Sequence, residues 1–287
     1  MKKLLTVLSV LMMATTFVFA SGSKETSSTS QKVELTNYTF GGSSTVAPIA
    51  NAAIAGFESQ NPNVKVTYET TGSSVGIKNL LASTFTLAGS SRELKSSEVE
   101  SGAYKTKIAL DGLTVAVNKS VNISNLSMVQ LANIFAGNIT NWSEVGGDDM
   151  NIELIVRDET SGTYGSFTEI VIEDTLGKGK TQAKKAIVAK ENGEVATKIA
   201  STPGAIGYIG MGFASIVTDK GGKELSIDNE LPTIDNVLDK KYPISRALYV
   251  VTMDAPKDGS VEKAFIDYLL SEAGQDIVVE KQFIPVN

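Results

Sequence analysis

Three stretches of this sequence share one local design: a β-forming apolar run, a short turn of Gly, Ser and Thr, and then apolar residues at helical spacing. In the first, Tyr38 and Phe40 lead into Gly42-Ser43-Ser44-Thr45 and a helix from about Val46, with Pro48 in its first turn. In the second, Val64, Val66 and Tyr68 lead into Gly72-Ser73-Ser74-Val75-Gly76 and a helix over 76–82. In the third, the apolar run 152–156 leads into Arg157 and Ser161-Gly162-Thr163, and a helix follows. Strands that alternate with helices pack as α/β layers. The rest of the chain continues the pattern. A short element is expected at 87–91 and strands at 113–117, 204–210 and 248–252. Helices are expected at 128–135 (ended by Gly137), 183–189, 193–200 and 261–270 (closed by Gly274).

Each of the three turns brings backbone N–H groups and a hydroxyl to a helix N-terminus, where the helix dipole adds positive potential. That is the make-up of an anion site. For any one turn alone, plain N-capping by Ser or Thr is the simpler reading. Three such turns in one α/β chain favour the anion. One also has an arginine four residues upstream, which offers forked donors and a fixed positive charge. The alternative role of Arg157 is an ion pair with Asp158 or Glu159, or Glu159 holds the guanidinium in place. Gly72-Ser73-Ser74-Val75-Gly76 also fits the G-x-S-x-G nucleophile pattern, but that chemistry needs a histidine base and the chain has none. Trp142, beside the Gly146-Gly147 turn, reads as a packing anchor in preference to a sugar-stacking platform.

Composition narrows the function classes. The 287 residues contain no Cys and no His, which excludes disulfides, thiolate metal sites, and the commonest general base and metal ligand. No catalytic residue, metal or cofactor is expected. The net charge of −6 and the lack of a basic patch oppose nucleic-acid binding. Residues 1–20 read as a secretory signal: Lys2 and Lys3, a short apolar run, then Val18-Phe19-Ala20 as the small-x-small cleavage pattern. Residues 21–36 begin a polar tether. A periplasmic or otherwise extracytoplasmic protein is expected. It would be lipid-anchored only if Ser21 stands in place of a lipidated Cys.

These motifs, in this order, resemble the phosphate-binding component of bacterial phosphate ABC importers over nearly all of the mature chain. Gly42 to Pro48, Thr71 to Lys78 and Ala88 to Leu94 resemble that family's three phosphate loops, and Arg157 with Ser161-Gly162-Thr163 resembles its anion clamp. Ile134 to Gly137 with Ile139 to Trp142, Gly204 to Tyr208, Tyr242 to Arg246, and Phe283 to Val286 resemble framework segments. The resemblance implies a two-lobe periplasmic-binding-protein fold with two hinge crossings, near 116–119 and 246–250. Lobe 1 would be 37–115 plus 251–287, and lobe 2 would be 120–245. It implies phosphate ligands from the Ser44 hydroxyl, the Thr45 backbone N–H, the Ser73 hydroxyl, Ser91, Arg157, Ser161, Gly162 and Thr163. The implied partners are inorganic phosphate and a membrane ABC permease, and the protein would be a monomer. Some relatives carry an aspartate where this chain has Ser91; a carboxylate there accepts the proton of hydrogen phosphate and repels sulfate. A serine hydroxyl discriminates less firmly. Two rivals remain open at this level: another oxyanion such as sulfate or molybdate, and a secreted phosphatase or other hydrolase.

Overall fold

The computed structural model describes residues 35–286. The expected signal (1–20) and residues 21–34 of the expected tether lie outside the described residues. β1 (Thr36–Gly42) runs into α1 (Ala47–Gln60), β2 (Val64–Thr70) into α2 (Ser73–Leu81), and β3 (Leu87–Ser90) into the short α3 (Ser96–Glu100). The long strand β4 (Ala103–Val117) follows. Next come β5 (Asn125–Leu126), α4 (Met128–Ala136), a 3-10 turn at Trp142–Val145, and β6 (Glu153–Arg157). α5 (Gly162–Phe167) continues through a π-helical stretch, Thr168–Glu173, into α6 (Asp174–Leu176). The chain proceeds through β7 (Ile187–Ala189), α7 (Asn192–Ser201), β8 (Ala205–Gly210), α8 (Ser215–Thr218), β9 (Lys223–Glu224), β10 (Ser226–Ile227) and α9 (Ile234–Leu238). It ends with β11 (Ser245–Met253), α10 (Val261–Leu270) and α11 (Glu272–Glu280).

The main sheet runs β2-β1-β3-β11-β4-β8-β6-β7, with β9 added on β4. Its division into two lobes follows from β4, which changes partner along its length. Ala103 to Gly112 pair antiparallel with β11; Leu113 to Val117 pair antiparallel with β8. The first lobe is therefore β2, β1, β3, β11 and the first part of β4. The second holds the rest of β4, β8, β6, β7 and β9. The return crossing lies beside the outward one: Leu113 N donates to the Ile244 carbonyl at 2.8 Å, and Ser245 pairs with Gly112. Both partner switches fall at 112–113 and 244–245. Residues 116–119 and 246–250, where the crossings were expected, are mostly inside laddered strands. Ala116 and Val117 already pair with β8 and β9, and Arg246 to Val250 pair with β4 inside the first lobe.

Each lobe buries apolar residues on both sheet faces. In the first, α1, α10 and α11 cover one face around Phe40, Ile49, Phe57, Phe265 and Leu269, with Phe57 edge-on to Phe265 at 5.2 Å. α2 covers the other face with Ile77 and Leu80 against Ala88 and Val251. In the second, Phe135, Trp142, Phe167 and Tyr208 fill one face, and α7 covers the other with Val195 and Ile199. Trp142 is 1% exposed and donates its indole N–H to the Gly204 carbonyl at 3.0 Å, as a packing anchor does.

Three local expectations change. The stretch 183–189 is not a helix: Ile187 to Ala189, opening with two β-branched residues, form β7 on the outer edge of β6. Gly274 does not end α10. That helix stops at Ser271, whose hydroxyl accepts the Gly274 N–H at 3.3 Å and so caps α11, which contains Gly274. β4 begins ten residues before the expected strand at 113, because Tyr104, Lys105 and Lys107 stand on an exposed, polar part of it.

The glycine turns bring helix and loop backbones into direct contact. A Cβ on Gly76 in α2 would lie 2.4 Å from Gly42 Cα and 3.1 Å from Gly42 N, both main-chain atoms that cannot rotate away. Gly76→Ala is expected to lower stability by about 1–3 kcal/mol, read as a fall in the urea midpoint with an unchanged slope.

Candidate functional site

The three Gly/Ser/Thr turns, together with the loop after β3, meet where the two lobes face each other. From the first lobe come Ser44 (6% exposed), Thr45 (0%), Ser73 (0%) and Ser91 (1%); from the second come Arg157 (2%), Ser161 (2%) and Thr163 (1%), with Gly162 also buried. The lobes touch directly. Thr45 Oγ1 lies 3.1 Å from Thr163 Oγ1. Ser74 N donates to the Thr160 carbonyl at 3.0 Å, and Ser166 Oγ donates to the Ser91 carbonyl at 3.0 Å. A Cβ on Gly162 would meet Ser73 Oγ at 2.2 Å and Ser91 Oγ at 2.6 Å, so only glycine lets the second lobe close on those two hydroxyls.

Some hydroxyls accept backbone N–H groups of their own turn, and Ser161 thereby caps α5. Ser43 Oγ accepts the N–H of Thr45 at 3.1 Å and of Val46 at 3.4 Å. Ser161 Oγ accepts the N–H of Thr163 and of Tyr164, at 3.1 and 3.2 Å. The Thr45 N–H, which the family resemblance marked as a ligand donor, is therefore turned onto Ser43. It is the Thr45 hydroxyl that faces the other lobe. Ser91 N donates to Ser73 Oγ at 3.1 Å, and the two serine oxygens lie 3.4 Å apart, so either of them can donate to the other.

The chain has three arginines, Arg92, Arg157 and Arg246, and all are buried here. Two carry a carboxylate. Arg92 holds Glu98 through both terminal nitrogens at 2.8 and 2.7 Å, and also reaches Ser74 Oγ at 3.2 Å. Arg246 holds Asp111 through Nε at 2.9 Å and Nη2 at 2.7 Å. Arg157 differs. It projects from the last position of β6, its backbone N–H directed at the Tyr208 hydroxyl at 3.4 Å, and Tyr208 is stacked flat on Phe167. Its Nη2 donates to the Lys190 carbonyl at 2.6 Å, while Nε and Nη1 are buried without any hydrogen-bond partner. Glu159, an expected partner for it, is exposed. Burial lowers the Arg157 guanidinium to about 10, against the weaker opposing pull of Tyr208 and Asp158, so it stays charged at neutral pH. A buried cation with two unmet donors is costly unless an anion supplies the acceptors.

Three further residues belong to the site. Asn192, at the start of α7 and fully buried, donates its amide to Ser44 Oγ at 3.2 Å and to Thr45 Oγ1 at 2.9 Å. Arg246 Nη1 donates to the Ser91 carbonyl at 3.0 Å and Nη2 to Thr45 Oγ1 at 3.3 Å. Asp111, under Arg246, also accepts the Met211 N–H at 2.9 Å. Arg246 had a signal in the sequence, within Tyr242-Pro243-Ile244-Ser245-Arg246. Asn192 and Asp111 had none, since single Asn and Asp residues are common at helix starts and turns. Among the described residues no group of acidic side chains is placed to hold a metal, and no helix is long and apolar enough to cross a membrane.

Comparison with known proteins places the whole chain in a family. The PBP superfamily domain matches residues 23–273. The phosphate-binding protein PstS of Borreliella burgdorferi is 41% identical over 249 residues, spanning 86% of this chain and 88% of that protein. PstS of Bacillus subtilis is 31% identical, over 100% of this chain and 95% of its own. A crystal structure of a putative phosphate ABC transporter substrate-binding protein from Clostridium perfringens, with bound phosphate, superposes with a TM-score of 0.79 at 32% identity, covering 88% of this chain and 100% of that one. With its two lobes built on partner-switching strands and its buried, carboxylate-free arginine between them, this chain belongs to the PBP superfamily and, within it, to the family of the phosphate-binding PstS proteins.

Proposed function

We propose that the protein captures inorganic phosphate outside the cytoplasm and delivers it to a membrane ABC permease, as a binding protein that turns over no substrate. The observation that carries this reading is Arg157: a buried guanidinium with two unpartnered donors, in the lobe whose Ser161-Gly162-Thr163 turn meets the buried Thr45, Ser73 and Ser91 of the other. The ligands would be Ser44, Ser73, Ser91, Arg157, Ser161, Gly162 and Thr163; Thr45, expected among them through its backbone N–H, has that N–H on Ser43 and its hydroxyl against Thr163, so it would act beside the ligands and not as one. These donors replace the hydration shell of the ion, and each hydrogen bond to a charged group contributes roughly 1.5–3 kcal/mol. A handful of them suffices for micromolar affinity, about −8 kcal/mol. Entry and release require the lobes to part. The paired crossings at 112–113 and 244–245 are the short segments about which they would swing. The names of the relatives, and the phosphate in the Clostridium perfringens structure, support phosphate as the anion.

Arg157→Ala removes two donors aimed at the ion. Calorimetry is expected to show phosphate binding weakened by about 3 kcal/mol or more, at least ~100-fold. Unchanged affinity would remove the site from consideration.

The charge on Arg157 sets a pH limit. Its charged form binds the anion, is fully present well below about pH 10, and is lost above it. Phosphate affinity measured from pH 8 to 11 is expected to hold up to that point and then fall by about a decade per pH unit.

Among the described residues Asp111 is the one buried carboxylate, and its oxygens are taken by Arg246 and the Met211 N–H. No fully buried carboxylate is therefore free to repel sulfate, and a serine hydroxyl can turn to donate instead of accept. Competition calorimetry at neutral pH is expected to find sulfate weaker than phosphate by only ~10–100-fold, the worth of one hydrogen bond to an ion. A preference of many thousandfold would point to an acceptor this arrangement lacks.

A further inference from the structure

Resting on the phosphate reading of the site, we infer that Asn192 and Arg246 are positioning residues that fix the direction of the hydroxyl protons at Thr45 and Thr163, making Thr163 an obligate donor to the bound anion only once the lobes have closed.

The Asn192 amide has one orientation available. Its oxygen accepts the Gly210 N–H at 3.2 Å, so its NH2 must face Ser44 and Thr45, spending one hydrogen on each. Arg246 has no acceptor capacity and is held by Asp111, so its contact with Thr45 Oγ1 is also a donation. A hydroxyl oxygen has two lone pairs and one proton. Both lone pairs of Thr45 Oγ1 are therefore occupied, by Asn192 at 2.9 Å and Arg246 at 3.3 Å. In its 3.1 Å contact with Thr163 Oγ1, Thr45 can then only be the donor. Thr163 accepts that proton and must send its own elsewhere, and the anion is the acceptor this site is built to hold. Ser44, accepting from Asn192, is likewise left with its proton to give.

The arrangement spans the molecule. Thr45 belongs to the first lobe, Asn192 and Thr163 to the second, and Arg246 stands two residues past the return crossing on β11. With the lobes apart Thr45 would lose Asn192, and its hydroxyl would be free to rotate. Closure therefore sets the polarity of the hydroxyl pair as well as burying the ion.

The test is a cycle on phosphate affinity, with Asn192→Ala, Thr163→Val and the double variant measured by calorimetry. If Asn192 acts through Thr163, Asn192→Ala alone weakens binding ~10-fold, yet costs no more than ~3-fold on the Thr163→Val background, the remainder passing through Ser44. Multiplying losses in the double variant, or affinity within twofold of the parent in Asn192→Ala, would overturn the inference. Asn192→Asp keeps the shape and the Gly210 contact but turns a double donor into an acceptor. It is expected to bind at least ~30-fold more weakly, and parent-like affinity would again overturn the inference. Arg157→Ala, measured alongside, separates the two readings: if it too keeps parent affinity, the phosphate site itself is wrong, whereas if it alone loses binding, only the proton-ordering role falls.

Discussion

A guanidinium buried without a carboxylate is an unstable thing to build a protein around, and the rest of this molecule is arranged to tolerate it. Arg157 loses its water, keeps its charge, and receives one carbonyl from Lys190 as its hydrogen-bond acceptor. Arg92 and Arg246, equally buried, each took a carboxylate at 2.7 Å and are thereby spent as structural cations. Leaving one arginine of three unpaired converts a cost of folding into affinity for an incoming ion, because the donors are already desolvated and already aimed. That cost has to be offset elsewhere, and the fully buried aromatic cores of the two lobes are where the compensating stabilisation lies.

The architecture that holds this charge was legible because it rests on local chemistry. Strand–turn–helix units advertise themselves through period-2 and period-3.6 patterns, and Ser or Thr before a helix is favoured for a physical reason that operates over four residues. Hence the turns at Ser44, Ser73 and Ser161 were visible one by one. Their convergence on one place was not, since it depends on β4 passing between lobes and on strand order, which are long-range properties. The same distinction explains the misplaced crossings. Nothing in the apolar run at 113–117 marks the residue at which hydrogen bonding passes from β11 to β8. The stretch at 183–189 misled for a related reason: it takes strand form by pairing with the edge of β6, a partner thirty residues away in sequence.

Legibility failed most where a residue works through another. Ser161, expected as an anion ligand, also accepts backbone N–H groups as the cap of α5, which leaves its proton for the ion. Asn192 looks like an ordinary helix start and reaches the hydroxyls of the opposite lobe. A side chain with both donors and acceptors declares its role only when its neighbours' lone pairs are counted, and the neighbours come from segments more than a hundred residues apart.

That count also bears on how a binding site made of neutral hydroxyls can be selective. A serine or threonine will present whichever end a ligand asks for, so a cage of freely rotating hydroxyls would accept many oxyanions and protonation states alike. Selectivity requires that some of them be committed. Here the commitment comes from groups that cannot reverse: an arginine fixed by Asp111 beside the crossing, and an amide whose orientation is set by a backbone N–H. The Thr45 and Thr163 side is thereby made all-donor, and any group that accepts a ligand proton must lie on the side of Ser73 and Ser91, whose mutual 3.4 Å contact leaves either serine able to play that part. Polarity in this site is thus divided between the lobes and the loops by hydrogen-bond counting, with the charge of Arg157 supplying the attraction and the hydroxyls supplying the shape of the proton pattern it will accept.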